Sequence, residues 1–297
     1  MNGVWLDLLW TVTLRIVLLT APLPALLWAV GCDEPALVLL IGSGVLVLAL
    51  CAGCPWFFRL LWRTRDWWRV RRGQVVVYHP PGFANAAGVR AILDCCDTQV
   101  NSLERRFGFR LRGRVAVLLF KTAREVEEIF RDPCGGRALP FANAILINRQ
   151  YDPAELARHE LVHLYSAQWD VSAPPLLEEG LATWLQGSWW GVPVGREGRR
   201  LANELNVPLK DLLDRSFFFA PTNRYACYMV AASFTEFLIR HYGWDVYRKV
   251  FKGARRHGTN SMLKKHVGRG LGELEQLWRD ELRVSRGRYV GGRLSEL

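Results

Sequence analysis

Five residues, His159-Glu160-Leu161-Val162-His163, restrict this chain more than any other stretch of it. Two histidines four apart face the same way on an α-helix, where residues i and i+4 stack one above the other. The sequence around them supplies that helix. Asp152 is a candidate N-cap, Pro153 falls in the first turn where its missing N–H costs nothing, and Glu155 has the spacing of a capping-box partner. The spacing predicts a helix over roughly 153–168. On it the two imidazoles can chelate one ion, and Glu160, one step round from His159, can reach a water on that ion.

A hydrolytic zinc site takes three protein ligands and leaves one position open. The third must arrive on a separate element. Ser172-Ala173-Pro174-Pro175 opens a second helix through about Leu185, which carries Glu178 and Glu179. Helical geometry turns these two carboxylates about 100° apart. Glu179 is the candidate, because Gly180 beside it removes a side chain where two helices must approach closely. Glu178 is its competitor.

Around the two helices the chain reads as α+β. Gln74–Tyr78, Arg114–Phe120 and Ala142–Asn148 are apolar strand-like runs. Ala84–Phe107 has helical spacing, and Thr122 with Glu125 forms a capping box for a helix through about Arg131. Further helices are expected over Tyr225–Tyr242, closed by Gly243, and near 245–257 and 272–284.

The N-terminal quarter is different. Ala36–Phe58 carries no charge over 23 residues, enough to cross a hydrocarbon core. Ile16–Val30 is a second uncharged run, interrupted by Pro22 and Pro24 and long enough to span when extended back through Leu8. A transmembrane helical hairpin over 1–58 is the expectation, with membrane lipids as its partners. Six arginines against one acid between Arg59 and Arg72, interleaved with Trp62, Trp67 and Trp68, then read as a basic juxtamembrane segment over 59–73. The positive-inside rule places that segment and the remaining domain, 74–297, in the cytoplasm, on a multi-pass cell-membrane protein. Ala29-Val30-Gly31-Cys32 resembles an imperfect lipobox whose processing would invert this topology, and the second apolar run argues against it.

The formal charge of +11 does not indicate nucleic acid. It concentrates in the juxtamembrane arginines and in residues 248–297, where 13 Lys/Arg face 5 acids, and no nucleic-acid motif accompanies it. A face held near an anionic membrane accounts for it. Seven cysteines, none after residue 73 in a CxxC, form no disulfide pattern and suit a reducing compartment.

Pro175-Leu176-Leu177-Glu178-Glu179-Gly180-Leu181-Ala182 resembles the P-W-L-x-E-G-x-A segment of the gluzincin metallopeptidases, the clan of thermolysin and aminopeptidase N. Within that clan the chain looks most like the bacterial peptidase MA-like family, with downstream agreement over Tyr228–Gly243 and at Gly268 and Leu274–Trp278. The resemblance implies a zincin-like domain, a small mixed sheet followed by helices, that hydrolyses peptide bonds with Zn2+. It implies His159, His163 and Glu179 as metal ligands and Glu160 as general base toward a zinc-activated water. Tyr228 matches the family's oxyanion-stabilising tyrosine, with Tyr225 one turn earlier as the alternative. Ala142–Ile147 would be the edge strand that holds an extended peptide substrate. In this chain Thr183 stands where thermolysin-type enzymes place an aspartate that orients a ligand histidine, which leaves the outer partners of His159 and His163 open. A heat-shock-type membrane quality-control endopeptidase and a catalytically idle zinc scaffold are the alternatives. Glu160 argues against the second, and the Glu179-Gly180 context against the first.

Overall fold

The computed structural model describes residues 55–131, 134–170 and 172–291. The apolar hairpin expected over 1–58 falls, apart from its last four residues, outside them. Among the described residues no helix is long and apolar enough to cross a membrane. The described residues form two compact units, those of 55–97 with 111–150, and those of 98–110 with 151–291.

The first unit is built on a five-stranded mixed sheet. Helix α1 (Pro55–Thr64) precedes strands β1 (Trp68–Arg72) and β2 (Val75–His79), and helix α2 (Ala86–Phe107) follows. Then come β3 (Val115–Phe120), α3 (Ala123–Phe130), β4 (Gly136–Leu139) and β5 (Ala144–Asn148). The order across the sheet is β1-β2-β3-β5-β4. The three central strands run parallel, with Val77 opposite Val117 and Val117 opposite Ile145. Both flanking strands are antiparallel to their neighbours. Central parallel strands are covered on both faces, which is why β2, β3 and β5 appear in the sequence as unbroken apolar runs rather than alternating ones. On one face Val76, Tyr78, Leu118, Phe120 and Leu146 pack with Leu60 of α1 and with Val126 and Ile129 of α3. Helix α3 begins at the expected capping box, with Thr122 and Glu125 bonded reciprocally.

Two sequence expectations change here. The arginine-rich stretch 59–73 is not a segment apart from the folded domain, because α1 and β1 belong to the first unit. Trp67 is buried edge-on against Phe120 at 4.9 Å, Arg59 donates to the Ile129 carbonyl at 2.8 Å, and Arg63 pairs with Glu125 at 2.7 Å. The arginines of β1 decorate an edge strand, where charged side chains discourage pairing with another chain. The alternation in Trp-Arg-Val-Arg-Arg is that of an edge with one inward residue, Val70. Secondly, β5 is not an edge strand. It lies between β3 and β4, so both rows of its backbone groups are engaged, and β4 is the edge on that side. The short turn at Pro140–Ala142 folds β4 onto β5 and takes that edge away.

Helix α2 passes from the first unit into the second between Asp97 and Thr98. The second unit is otherwise helical. It contains α4 (Pro153–Ser166), α5 (Pro175–Gln186), a two-stranded hairpin β6 (Ser188–Trp189) and β7 (Val192–Pro193), and α6 (Val194–Glu204). A short α7 (Arg215–Phe218) precedes α8 (Arg224–Tyr242), α9 (Trp244–His257), α10 (Thr259–Val267) and α11 (Leu271–Gly291). Small strands followed by helices make the whole α+β, as the sequence indicates.

Candidate metal centre

Helix α4 starts as its sequence requires. The Asp152 carboxylate accepts from Ala154 N at 2.8 Å and from Glu155 N at 3.0 Å, and Gln99 of α2 donates to the Ala154 carbonyl at 2.8 Å. The expected return bond from Glu155 to the cap is replaced by another arrangement. Its carboxylate accepts from the Ser188 hydroxyl, from Trp190 N at 2.7 Å and from Gly191 N at 3.0 Å, and so binds the tip of the β6–β7 hairpin. Three donors outside the helix outcompete one backbone N–H. Behind the helix, Tyr165 donates to the Val100 carbonyl and packs at a tilt against Phe107, which also meets Trp169 and Trp244. That aromatic cluster fixes the face of α4 opposite the histidines.

Helix α5 crosses α8 at very close range. A Cβ on Gly180 would come within 2.6 Å of Thr235 Oγ1 and 2.8 Å of the Ala231 carbonyl oxygen, so only glycine permits the crossing. Tyr247 of α9 donates to the Leu177 carbonyl at 2.7 Å and holds the first turn of α5. The neighbouring carboxylate of Glu179 is thereby delivered to the histidines.

The three expected residues converge. His159 Nε2 lies 3.1 Å from His163 Nε2 and 3.2 Å from Glu179 Oε2, and His163 Nε2 lies 3.4 Å from that same oxygen. These three form the cluster of potential metal-holding groups found among the described residues. Donors held tetrahedrally at zinc's usual bond lengths stand about 3.3–3.4 Å apart, so the triangle matches the size a zinc ion requires. Two imidazole nitrogens and one carboxylate oxygen suit zinc better than calcium or magnesium, which take oxygen donors, and zinc is the metal the set fits. Glu178, the competitor, is directed elsewhere: its Oε1 is 3.7 Å from His163 Nδ1 and its Oε2 accepts from Arg215 at 3.4 Å. The outer partner of His159 is Gln186, whose Oε1 lies 3.0 Å from Nδ1. Thr183 does not take that part; its Oγ1 is buried and makes no hydrogen bond.

Glu160 is buried at 6% exposure, on α4 with the ligands. The ring of Tyr228 lies 5.8 Å from that of His159, flanked by Trp189 at 5.2 Å, Phe218 at 5.2 Å and Phe219 at 6.4 Å. Tyr225 is turned toward α6, where its hydroxyl donates to Glu197 at 3.4 Å. Between the two tyrosines, Tyr228 is the one beside the metal cluster. Trp189 and Phe218 wall this side of the site. Gln186 and the hairpin escaped the sequence reading; the signal for Gln186 was its place two helical turns beyond Glu179, on the same face.

Charges follow from the packing. Burial alone would depress His163, but the Glu179 carboxylate overrides it, and with Glu178 and Glu160 it raises the imidazole to about 10. Burial opposes ionisation of Glu179 as well, yet His163 and His159 hold it well below the usual carboxylate range. Burial pushes Glu178 up against the opposing pull of His163. Burial also lifts Tyr228 well above an ordinary phenol, reinforced by Glu179 and Glu160.

A measurable consequence attaches to His163. In the metal-free chain its folded-state pKa of about 10 exceeds the unfolded reference of about 6.5. The ion pair with Glu179 therefore contributes its full stability below that reference and loses it as pH rises through about 10. Loading zinc at neutral pH must expel this proton. Calorimetry in buffers of differing ionisation enthalpy is expected to show about one proton released per zinc. Apparent affinity should rise about tenfold per pH unit until His163 is neutral without metal.

No protein-family model matches the chain, and no curated protein matches it. Among solved structures, the matches include an M1 zinc metallopeptidase from Deinococcus radiodurans. It is 17% identical with a TM-score of 0.38, over 71% of this chain and 49% of that one. A point mutant of that enzyme gives 16% identity and a TM-score of 0.38, over 71% and 50%. The chain spans about half the length of these structures.

Proposed function

We propose that this chain is a membrane-anchored, zinc-dependent metallopeptidase of the gluzincin type, similar to the bacterial peptidase MA-like family. The observation that carries the proposal is the convergence of His159 Nε2, His163 Nε2 and Glu179 Oε2 within 3.4 Å of one another, with Glu160 buried on the same helix. When bound, zinc would acidify a water and polarise the scissile carbonyl. Glu160 then accepts the proton of the attacking water and returns it to the leaving amine. The Tyr228 phenol keeps its proton at all working pH values and can donate a hydrogen bond to the developing oxyanion. Trp189 and Phe218 pack on the Tyr228 ring and hold it beside the cluster.

The decisive experiment is metal analysis of the purified full chain together with a peptide-library assay. One zinc per chain is expected, with loss of both metal and hydrolysis on His159→Ala and on Glu179→Ala. Fewer than about 0.5 zinc per chain in the parent, unaffected by either change, would end the reading. Anchoring is supported by the uncharged run Ala36–Phe58, and a cytoplasmic catalytic part by the positive-inside rule. Resistance to alkaline extraction from membranes tests the first, and protease accessibility from each side tests the second.

A further inference from the structure

The two histidines of the cluster are backed by unlike groups. Near His163 stands a carboxylate, Glu178 Oε1, 3.7 Å from Nδ1 and beyond hydrogen-bond reach, so that Nδ1 makes no hydrogen bond. Behind His159 stands a neutral amide, Gln186 Oε1, at 3.0 Å. The amide's orientation is fixed from its other end, where Gln186 Nε2 donates to the Ser188 carbonyl at 2.7 Å. A reversed amide would set two carbonyl oxygens against each other, so the oxygen must face His159.

From this we infer that Gln186 is the positioning residue of His159: its amide oxygen accepts the imidazole Nδ1–H and so aims Nε2 at Glu179 and His163. The inference rests on the metal-centre reading. Glu179 and Gln186 are seven residues apart on α5, about two turns, so one helix face supplies both a ligand and the support of another ligand. Thr183 lies between them with a buried hydroxyl that bonds to nothing, which leaves the role to Gln186. The arrangement closes on itself. Ser188, which anchors Gln186, donates its hydroxyl to Glu155, one turn before His159 on α4. The hairpin that carries Trp189 is thus joined to the metal cluster from two sides. An amide orients the ring but adds no negative charge, so His159 is a poorer electron donor than a carboxylate-backed histidine would be. A metal held there keeps more of its own positive charge.

Three forms of the full chain separate this role from mere support of the hairpin: the parent, Gln186→Leu, and Gln186→Glu, which keeps an acceptor for His159 but loses the donor to Ser188. Nitrogen-15 NMR of the histidine rings in metal-free protein is expected to show His159 Nδ1 protonated and hydrogen-bonded in the parent and in Gln186→Glu, and that hydrogen bond lost in Gln186→Leu. Zinc affinity, measured by competition with a chromophoric chelator, should fall about 10–100-fold in Gln186→Leu. In Gln186→Glu it should match or exceed the parent. An unprotonated His159 Nδ1 in the parent overturns the inference. So does equal weakening in both variants, which would mean that only the hairpin bond matters. Unchanged zinc affinity across all three overturns it while leaving the metal reading intact, whereas a parent that binds no zinc overturns both.

Discussion

Glu160→Gln is expected to retain one zinc per chain and to hydrolyse peptides about 10²–10⁴-fold more slowly than the parent, a loss expressed in kcat. Glutamine has nearly the shape of glutamate and fills the same buried position, so the fold and the ligand triangle persist. What it lacks is a group able to take a proton from water. Glu160 is not one of the three residues whose atoms converge, which is why metal and activity should separate at this position. Inductively coupled plasma analysis and a steady-state assay on one preparation decide it. A variant that keeps zinc and cleaves as fast as the parent would retire the general-base role, and with it the argument against an idle zinc scaffold.

The second large effect is structural and bears on the same site. Gly180→Ala should destabilise the folded chain by about 1–3 kcal/mol, the usual cost of overpacking a tight core. Alanine gains about 1 kcal/mol in helix propensity over glycine, so the sign depends on the crossing with α8. The crossing wins, because one neighbour is the backbone oxygen of Ala231 at 2.8 Å, which no rotamer change can move aside. Gly272→Ala is the control. It lies in helix α11 with nothing within 4 Å of the added methyl, and should be neutral or slightly stabilising. Denaturant unfolding of both variants gives the comparison. In Gly180→Ala zinc affinity should fall as well, since pushing α5 away from α8 moves the Glu179 carboxylate. Equal stability of the two variants would show that the close approach is not needed.

Elements whose cause is local could be read directly. Asp152 and Pro153 start α4 by bonds that span three residues, and Thr122 with Glu125 start α3 in the same way. The central strands declare themselves because burial on both faces leaves an unbroken apolar run. The edge strand β1 does not, since an exposed strand of Trp-Arg-Val-Arg-Arg has the composition of a membrane-interface anchor. Two physical environments, a sheet edge and a lipid interface, favour the same residues. Strand β5 was legible as a strand but not as an interior one, because the pairing of β4 is a property of the sheet and not of either segment.

At the metal cluster, sequence alone was enough to name His159, Glu160 and His163, because a helix of fixed pitch turns their spacing into geometry. It narrowed the candidate third ligand to two adjacent glutamates and, through the family resemblance, the candidate oxyanion donor to two tyrosines one turn apart. Choosing between such neighbours takes the direction of a helix axis, which is set by contacts far away in the chain. Gly180 against Ala231 and Thr235 aims Glu179 inward, while Arg215 draws Glu178 outward. Glu197 holds Tyr225 on α6 and leaves Tyr228 beside His159. Gln186 could emerge only from the tertiary structure, for a glutamine at a helix end is unremarkable until a hairpin carbonyl turns its amide oxygen toward an imidazole.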